Sequence, residues 1–419
     1  MNTYTSVLAA VIVILAITWA FGRLLSRLGQ PAVVGEIFGG IFLGPTVAGF
    51  FMPELTERLF SNEIRPFLLV LSNFGLSIFM FVTGMEVDFS LVGKKLSRQT
   101  VLLVAASFTI PFLLGLAYGG HYFDLFAGKQ ADPARFAVFV GISLSITAFP
   151  VLARILTEHN LLSTWIGTLL LLSASVQDIL SLVLLTFSAP GPSAGTAGGH
   201  IVLQVSLFVA VNFLMMRPLL AWVFRRFKIK THTMRNYLVL LLVVLLVNSI
   251  WTEVIGVHTV FGGFVTGLVV PRNSKLTGYL LGRLKDLTMA LFLPLFFALT
   301  GLNANLRTLA GVSYLFPATL LLVLAVAGKY FSTLFTLKGM GYSWREASGA
   351  GGLNNAKGLM ELVIANIGLS SGVISRELYS MLVLIAMVST VLATPIFRLS
   401  GWRPYAGGAV PVAPEVELG

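Results

Sequence analysis

The sequence predicts an all-α integral membrane protein of about 13 transmembrane helices, built from two inverted repeats that each contain one broken helix. Composition is the first reason: of 419 residues, 56% are hydrophobic and only 11% are charged, whereas soluble domains carry roughly a quarter charged residues. The second reason is that the apolar residues fall into runs about as long as the 20 residues that cross a bilayer as a helix. Such a chain leaves no room for a sizeable soluble domain.

Charged or Gly/Pro-rich segments separate these apolar runs and mark the ends of the spans. Lysine and arginine concentrate in the loops after odd-numbered spans, as at 225–230, which predicts a multi-pass protein with its N-terminus outside and its C-terminus in the cytoplasm. A bacterial plasma membrane is the expected location. Thirteen spans are predicted, near residues 5–22, 33–52, 66–85, 99–119, 136–156, 163–188, 201–222, 235–252, 257–271, 287–302, 312–336, 346–369 and 377–399.

Residues 1–406 are expected to form one transmembrane domain. Within it, repeat one covers about 1–188, a linking helix about 200–225 and repeat two about 235–400. Residues 407–419 are expected to be a short disordered cytoplasmic tail. The formal charge of +11 is attributed to basic anchors on one membrane face, so no nucleic-acid partner is expected. The absence of cysteine excludes disulfides and thiolate metal sites.

Two short motifs recur in the same order along the chain. The FGG at 38–40 returns at 261–263, and the Thr-Gly pair at 83–84 returns at 300–301. Each recurrence is a shift of seven spans, and because seven is odd the two copies must cross the membrane in opposite directions. Inverted repeats of this kind are typical of secondary transporters. Coincidental glycine spacing is the alternative, since small residues are common at helix contacts in membranes.

The same shift relates two interrupted spans. In the fifth span, Ser145 and Thr147 precede Pro150, whose ring removes a backbone hydrogen bond. In the twelfth, Asn354 and Lys357 stand within an apolar stretch that also holds several glycines. Unwound backbone at membrane depth occurs only where protein or a watery cavity surrounds it. These two interruptions therefore predict the position of a binding site.

Asp178 lies about midway along the sixth span. An ionised carboxylate at that depth costs several kcal/mol, so a function or a partner must account for it. One carboxylate can hold either a proton or a monovalent cation. Ser175 and Ser181, three residues before and after it, lie on the same helical face and can supply hydroxyl oxygens. A purely structural buried ion pair is the alternative.

The other charges within spans each have two interpretations. Lys329 can compensate the aspartate or the negative ends of broken half-helices, or it can snorkel to the interface. Lys357 and Glu361 can act in charge compensation or gating, or form a plain bridge between residues four apart on a helix. Arg154 is an anchor or a gate. Glu36, in the first turn of a span, is either favoured there by the helix dipole or part of a cytoplasmic funnel.

Several longer runs, taken jointly, resemble the monovalent cation/proton antiporter superfamily. The resemblance is to its second branch, which includes plant cation/proton exchangers and bacterial potassium-efflux and sodium/proton antiporters. It covers nearly the whole chain, and the SITAFPVLARIL run is the most specific part. The runs are QPAVVGEIFGGIFLGP at 30–45, FVTGMEVDF at 81–89, SITAFPVLARIL at 145–156, GVHTVFGGFVTGL at 256–268, LPLFFALTGL at 293–302 and GGLNNAKGLMELVIANIG at 351–368.

This resemblance implies the sodium/proton antiporter fold, a homodimer, and a mobile core in which the two broken helices cross and carry the ion by an elevator-like movement. Asp178 takes the place of the family's ion- and proton-carrying aspartate, Thr147 that of the unwound crossing, and Lys329 that of the lysine packed against the site. Asp178 and Thr147 are thereby the expected ligands of the transported cation. One position departs from the pattern: electrogenic relatives have a second acid immediately before the aspartate, where this chain has Gln177.

The predicted function is electroneutral exchange of Na⁺ or K⁺ for H⁺ by a transporter that is not an enzyme and needs no cofactor. Some potassium-efflux relatives carry a cytoplasmic nucleotide-binding domain, and regulation of that kind is not expected here. The predicted ion- and proton-binding residues are Asp178, Thr147, Ser145, Ser175 and Gln177, the charge-compensating or gating residues are Lys329, Lys357, Glu361, Arg154 and Asn354, and the funnel residue is Glu36.

Two rival functions remain open from the sequence. A sodium-coupled organic-anion symporter of similar architecture is the first. An intramembrane hydrolase is the second, but an aspartyl type needs two facing membrane aspartates and only Asp178 is mid-span, while no HExxH zinc motif is present.

Overall fold

The computed structural model describes residues 3–30, 32–86, 98–159, 161, 164–188, 198–226, 234–255, 259–271 and 274–402, and within them the chain is almost entirely helical. The predicted tail at 407–419 lies outside these residues. The helices, in chain order, are α1 (Thr3–Arg27), α2 (Ala32–Leu43), α3 (Ala48–Phe51), α4 (Pro53–Leu59), α5 (Arg65–Glu86), α6 (Arg98–His121), α7 (Phe123–Phe126), α8 (Pro133–Ser145), α9 (Phe149–Glu158), α10 (Trp165–Ser188), α11 (Gly198–Val211), α12 (Arg217–Arg226), α13 (Met234–Ile255), α14 (Thr259–Val269), α15 (Ser274–Leu287), α16 (Leu293–Asn303), α17 (Val312–Gly339), α18 (Trp344–Leu353), α19 (Leu359–Ser370) and α20 (Arg376–Leu399).

Short π-helical turns join α11 to α12 and α15 to α16. In the described part of the chain, ten helical segments are long and apolar enough to cross a bilayer. Three of the spans expected from the sequence hold only shorter apolar helices, namely α8, α14 and α19. Two of these shortened spans are the ones predicted to be interrupted. The all-helical membrane architecture is confirmed, while the total of about 13 spans stays a prediction.

The chain forms two compact units, and the first comprises residues 1–28, 35–89 and 189–305. Glycines allow its helices to touch backbone to backbone. A Cβ on Gly44 would collide with the carbonyl oxygen of Gly301, and a Cβ on Gly267 would collide with that of Phe81 and lie 2.8 Å from the Cα of Gly84. The predicted repeat aligns Gly44 with Gly267 and Gly301 with Gly84. Corresponding glycine contacts are therefore made twice, and each joins a helix of repeat one to a helix of repeat two.

Buried polar groups also tie this unit together. The Asn248 amide donates to Asn212 Oδ1 and to Thr266 Oγ1, both at 2.8 Å, and thereby links the π-helical turn, α13 and α14. All three side chains are buried, and buried polar groups are stable only when they are paired in this way. The role of these three polar residues is therefore to hold the helices of this unit together.

The second unit comprises residues 29–34, 90–188 and 306–419. Its helices begin where the sequence supplies caps. Asp132 accepts the backbone N–H groups of Ala134 and Arg135 at 3.1 Å at the start of α8, and Ser343 with Glu346 forms a capping box at the start of α18.

A backbone join connects two loops of the second unit, one before α8 and one before α20. The N–H of Gly128 donates to the carbonyl of Val373, and the N–H of Ser375 donates to that of Phe126, both at 2.9 Å. The first loop belongs to repeat one and the second to repeat two. The join therefore fastens the two repeats to each other within this unit.

Candidate ion-binding site

Two interruptions divide the predicted fifth and twelfth spans into half-helices. After α8 ends, Ile146 turns to extended backbone with ψ of 142°, and α9 begins with Phe149 followed by Pro150, a position where the missing N–H of proline removes no helical bond. After α18 ends, the chain reaches α19 through Gly358, whose φ of 66° suits glycine. The broken helices predicted at these two places are confirmed.

The two interruptions lie against each other. The N–H of Ala148 donates to the carbonyl of Ala356 at 2.9 Å. Thr147 Oγ1 donates to the carbonyl oxygen of Asn354 at 2.9 Å and is 3.1 Å from its Oδ1, while Asn354 Nδ2 donates to Thr333 Oγ1 at 2.7 Å. Backbone groups that the breaks release are thus partnered across the crossing, as buried polar groups must be.

Asp178 is 1% exposed and lies beside this crossing. Its Oδ2 accepts the N–H of Phe149 at 3.3 Å, so the carboxylate faces the N-terminus of α9, where the helix dipole favours negative charge. Its Oδ1 accepts no hydrogen bond from any described residue. A buried oxygen without a donor is costly, and a carboxylate oxygen in that condition can take a proton or a hard cation.

The serines predicted to line the site differ in how their hydroxyl groups are used. Ser175 Oγ donates to the carbonyl of Leu171 at 2.9 Å. Ser145 Oγ is 2.8 Å from the carbonyl of Gly141 and 3.0 Å from that of Phe108. Ser181 Oγ is buried and has no hydrogen-bond partner in the described part of the chain. The hydroxyl hydrogens of Ser145 and Ser175 are thus donated to carbonyls, while their oxygen lone pairs stay able to bind a cation.

Lys329 is fully buried, and its ammonium is held by neutral oxygens. Its Nζ donates to Gln177 Oε1 at 2.5 Å and to the carbonyl of Ser107 at 3.0 Å. Gln177 Nε2 in turn donates to Ser107 Oγ at 2.8 Å and to Ser173 Oγ at 2.9 Å. Lys329 is within electrostatic range of Asp178. Gln177 therefore uses both ends of its amide: the oxygen holds the lysine, and the nitrogen is anchored by two serines.

Lys357 and Glu361 form an ion pair of 2.9 Å in which both side chains are 0% exposed. The pair does more than link residues four apart on the chain, because Lys357 Nζ also donates to the carbonyl of Ser143 at 2.7 Å and to that of Leu144 at 3.2 Å. These carbonyls belong to the last turn of α8, where the helix dipole favours a cation. The lysine caps one side of the break while the aspartate faces the other.

The two remaining predicted residues are Arg154 and Glu36. Arg154 belongs to α9, but its side chain lies outside the described residues. Glu36 lies on α2 in the first unit and is half-buried.

The sequence reasoning missed several partners of the cluster, among them Ser107, Ser143, Ser173 and Thr333. A signal existed for two of them. Pro111, four residues after Ser107, indicates a freed carbonyl at Ser107, and Thr333 follows Lys329 by one helical turn.

Comparison with known proteins identifies the family. The model of a family described as "Sodium/hydrogen exchanger, transmembrane" matches residues 10–399. The "Na(+)/H(+) antiporter NhaS4" of Synechocystis is 35% identical over 94% of this chain and 97% of its own length. The "K(+)/H(+) antiporter 1" of Saccharomyces cerevisiae is 34% identical over 89% of this chain, and the "Cation/H(+) antiporter 19" of Arabidopsis thaliana is 34% identical over 96%.

The chain spans 44% of the yeast relative and 50% of the plant relative. Among solved structures, the "sodium proton antiporter MjNhaP1 from Methanocaldococcus jannaschii" has a TM-score of 0.66 at 14% identity and covers 96% of this chain and 99% of its own. That likeness concerns the fold. The printed names are those of antiporters, so the symporter considered from the sequence finds no support among these relatives.

Proposed function

This chain belongs to the transmembrane sodium/hydrogen exchanger family, and from that premise we propose that it exchanges a monovalent cation, Na⁺ or K⁺, for H⁺. The observation that carries the proposal is the buried Asp178 at the crossing, whose Oδ1 has no donor among the described residues. The names of the sodium and potassium antiporters among its relatives support the same class of substrate. The protein is a transporter and not an enzyme in this proposal.

Competition for one carboxylate couples the two fluxes. A proton and a cation cannot occupy Asp178 together, so release of one permits binding of the other. When the site is closed to both sides and empty, an ionised Oδ1 would have neither water nor a protein donor, which is energetically costly. Movement of the empty site is therefore disfavoured, and leak is suppressed.

The proposed exchange is electroneutral, one cation for one proton. The side chain before Asp178 is the uncharged Gln177, and its amide oxygen is already bonded to Lys329. A single carboxylate therefore titrates at this point of α10. The cation ligands in this proposal are Asp178 and Thr147, with Ser145, Ser175 and Gln177 around them.

Alternating access is proposed to occur by an elevator-like movement of the second unit, which holds all the residues of the crossing. The resemblance to the antiporter superfamily supports this movement and a homodimer. We further propose a bacterial plasma membrane as the location. We also propose that the N-terminus lies outside and the C-terminus in the cytoplasm, because the basic residues are concentrated in the loops of one side.

Everted membrane vesicles test the function. The wild-type protein is expected to dissipate a respiration-generated pH gradient when Na⁺ or K⁺ is added, and a series of Li⁺, Na⁺, K⁺ and Rb⁺ identifies the cation. Asp178→Asn is expected to abolish this response without reducing the amount of protein in the membrane. Asp286→Asn, an exposed carboxylate on α15, serves as the matched control and should behave as wild type. A full cation response in Asp178→Asn would refute the proposal, whereas uptake of a labelled organic anion without a pH change would favour symport.

A further inference from the structure

Pro111 stands in the interior of α6, a helix that runs from Arg98 to His121. Proline has no N–H, so the carbonyl four residues earlier loses its helical donor, and the ring also pushes that turn open. The carbonyl four residues before Pro111 is that of Ser107. This is the carbonyl that accepts the ammonium of Lys329 at 3.0 Å.

The neighbouring carbonyl is also used. Phe108 O accepts a hydrogen bond from Ser145 Oγ at 3.0 Å, so two successive carbonyls of α6 serve partners outside their own helix. Helix α17 passes close to the proline, because a Cβ on Gly328 would lie 3.6 Å from the Cα of Pro111. Gly328 immediately precedes Lys329, and the proline and the lysine are therefore at the same level of the unit.

We propose that Pro111 is a positioning residue for Lys329: by releasing the Ser107 carbonyl it supplies one of the two oxygens that hold the ammonium away from Asp178. The other oxygen is Gln177 Oε1. With both in place, the positive charge is fixed beside the aspartate without occupying Oδ1. The cation and the proton then compete only with each other for Asp178, and Lys329 does not compete with them.

Replacing Pro111 should change the groups that bind the Lys329 ammonium. Pro111→Ala restores an N–H that can bond Ser107 O within the helix, and Pro111→Gly restores the same N–H. Lys329 then keeps Gln177 as an acceptor but loses the carbonyl. Two buried carboxylates, Asp178 and Glu361, are within its electrostatic range. Glu361 is already paired with Lys357, so Asp178 is the carboxylate that can replace the carbonyl. An ion pair between Lys329 and Asp178 would compete with the transported cation.

A double-mutant cycle tests the structural half without any transport measurement. Midpoints of thermal unfolding are measured for purified wild type, Pro111→Ala, Lys329→Met and the double variant, with Pro395→Ala, a proline in the interior of α20, as matched control. Alanine is more favourable than proline in a helix interior. Pro395→Ala should therefore raise the unfolding midpoint by the same amount with Lys329 present and with Lys329→Met. Pro111→Ala should raise it clearly more in the Lys329→Met background, where no lysine loses an acceptor. Equal increments for Pro111→Ala in both backgrounds would overturn the inference. Lys329→Leu, which also lacks a donor, gives the same comparison if the methionine variant does not purify.

A transport measurement tests the consequence, which rests on the proposed function. Pro111→Ala and Pro111→Gly should raise the half-saturating cation concentration about tenfold, because the cation must then displace Lys329 from Asp178. The maximal rate should stay within about twofold of wild type. Pro395→Ala should change neither. A lower maximal rate at an unchanged half-saturating concentration would contradict the positioning role. If wild type exchanges no cation at all, the proposed function fails, and the thermal cycle still decides the inference.

Discussion

The backbone N–H of Ala148 donates a hydrogen bond of 2.9 Å to the carbonyl of Ala356. These residues lie in the interruptions of two different spans, so a backbone group released by one break is satisfied by a group released by the other. Neither break could be buried alone, because an unpaired backbone group at that depth is costly. The crossing is consequently a property of the pair, and Thr147 lies within it two residues before Phe149, whose N–H donates to Asp178.

A charge introduced at Gln177 should change the electrical character of transport. Gln177→Glu places a second carboxylate in contact with Lys329 and next to Asp178, which adds a group that can carry a further proton. We expect exchange by this variant to respond to an imposed membrane potential in proteoliposomes, and exchange by wild type not to respond. Gln177→Asn keeps the position uncharged and should stay insensitive to potential. Equal sensitivity of wild type and Gln177→Glu would contradict the electroneutral proposal.

The ion pair of Lys357 and Glu361 should behave as a buried pair. Lys357→Met leaves the glutamate buried without a partner and uncaps α8, so we expect a loss of about 3 to 5 kcal/mol in the free energy of unfolding. Removing both charges in Lys357→Met/Glu361→Met should recover much of that loss, because no uncompensated charge remains. Thermal or denaturant unfolding in detergent measures both. Lys129→Met, at an exposed lysine, should stay within about 0.5 kcal/mol of wild type; a double variant as unstable as the single one would argue that the carbonyl cap on α8 dominates.

The glycine contacts of the first unit should not tolerate a methyl group. Gly267→Ala and Gly301→Ala each bring a Cβ into backbone atoms of a facing helix, and overpacking of this kind costs about 1 to 3 kcal/mol or more. Gly282→Ala is the matched control, since a Cβ there would meet nothing within 4 Å. In a helix that change should stabilise by up to about 1 kcal/mol. Unfolding midpoints should therefore move in opposite directions for the two kinds of glycine, and a shared direction would be inconsistent with backbone contact.

Some of this site could be predicted from local chemistry alone. Pro150 and the glycines near Asn354 disfavour a continuous helix wherever they stand, so the interruptions were predictable, and the recurring glycines were enough to reveal the repeat. Asp178 was conspicuous because a charge in an apolar run is rare.

The partners of the buried lysines were not predictable in the same way. Lys329 and Ser107 are 222 residues apart, and Lys357 and Ser143 are 214 apart. Which carbonyl meets an ammonium depends on the rotation and register of packed helices, and the composition of a single span does not encode either. Pro111 was visible in the sequence as a helix breaker, but its meaning depends on which lysine lies opposite.

The join between the loops at 126–130 and 372–375 uses only main-chain atoms. Every amino acid except proline carries the same N–H and C=O groups, so most substitutions along these two loops leave the join chemically unchanged. Two positions are the exceptions. A side chain on Gly128 would strike the carbonyl of Gly372, and Gly372 itself has a φ of +69°. The attachment between the repeats is thus robust to mutational drift at nearly every residue that forms it, and its vulnerability is concentrated in a single pair of glycines.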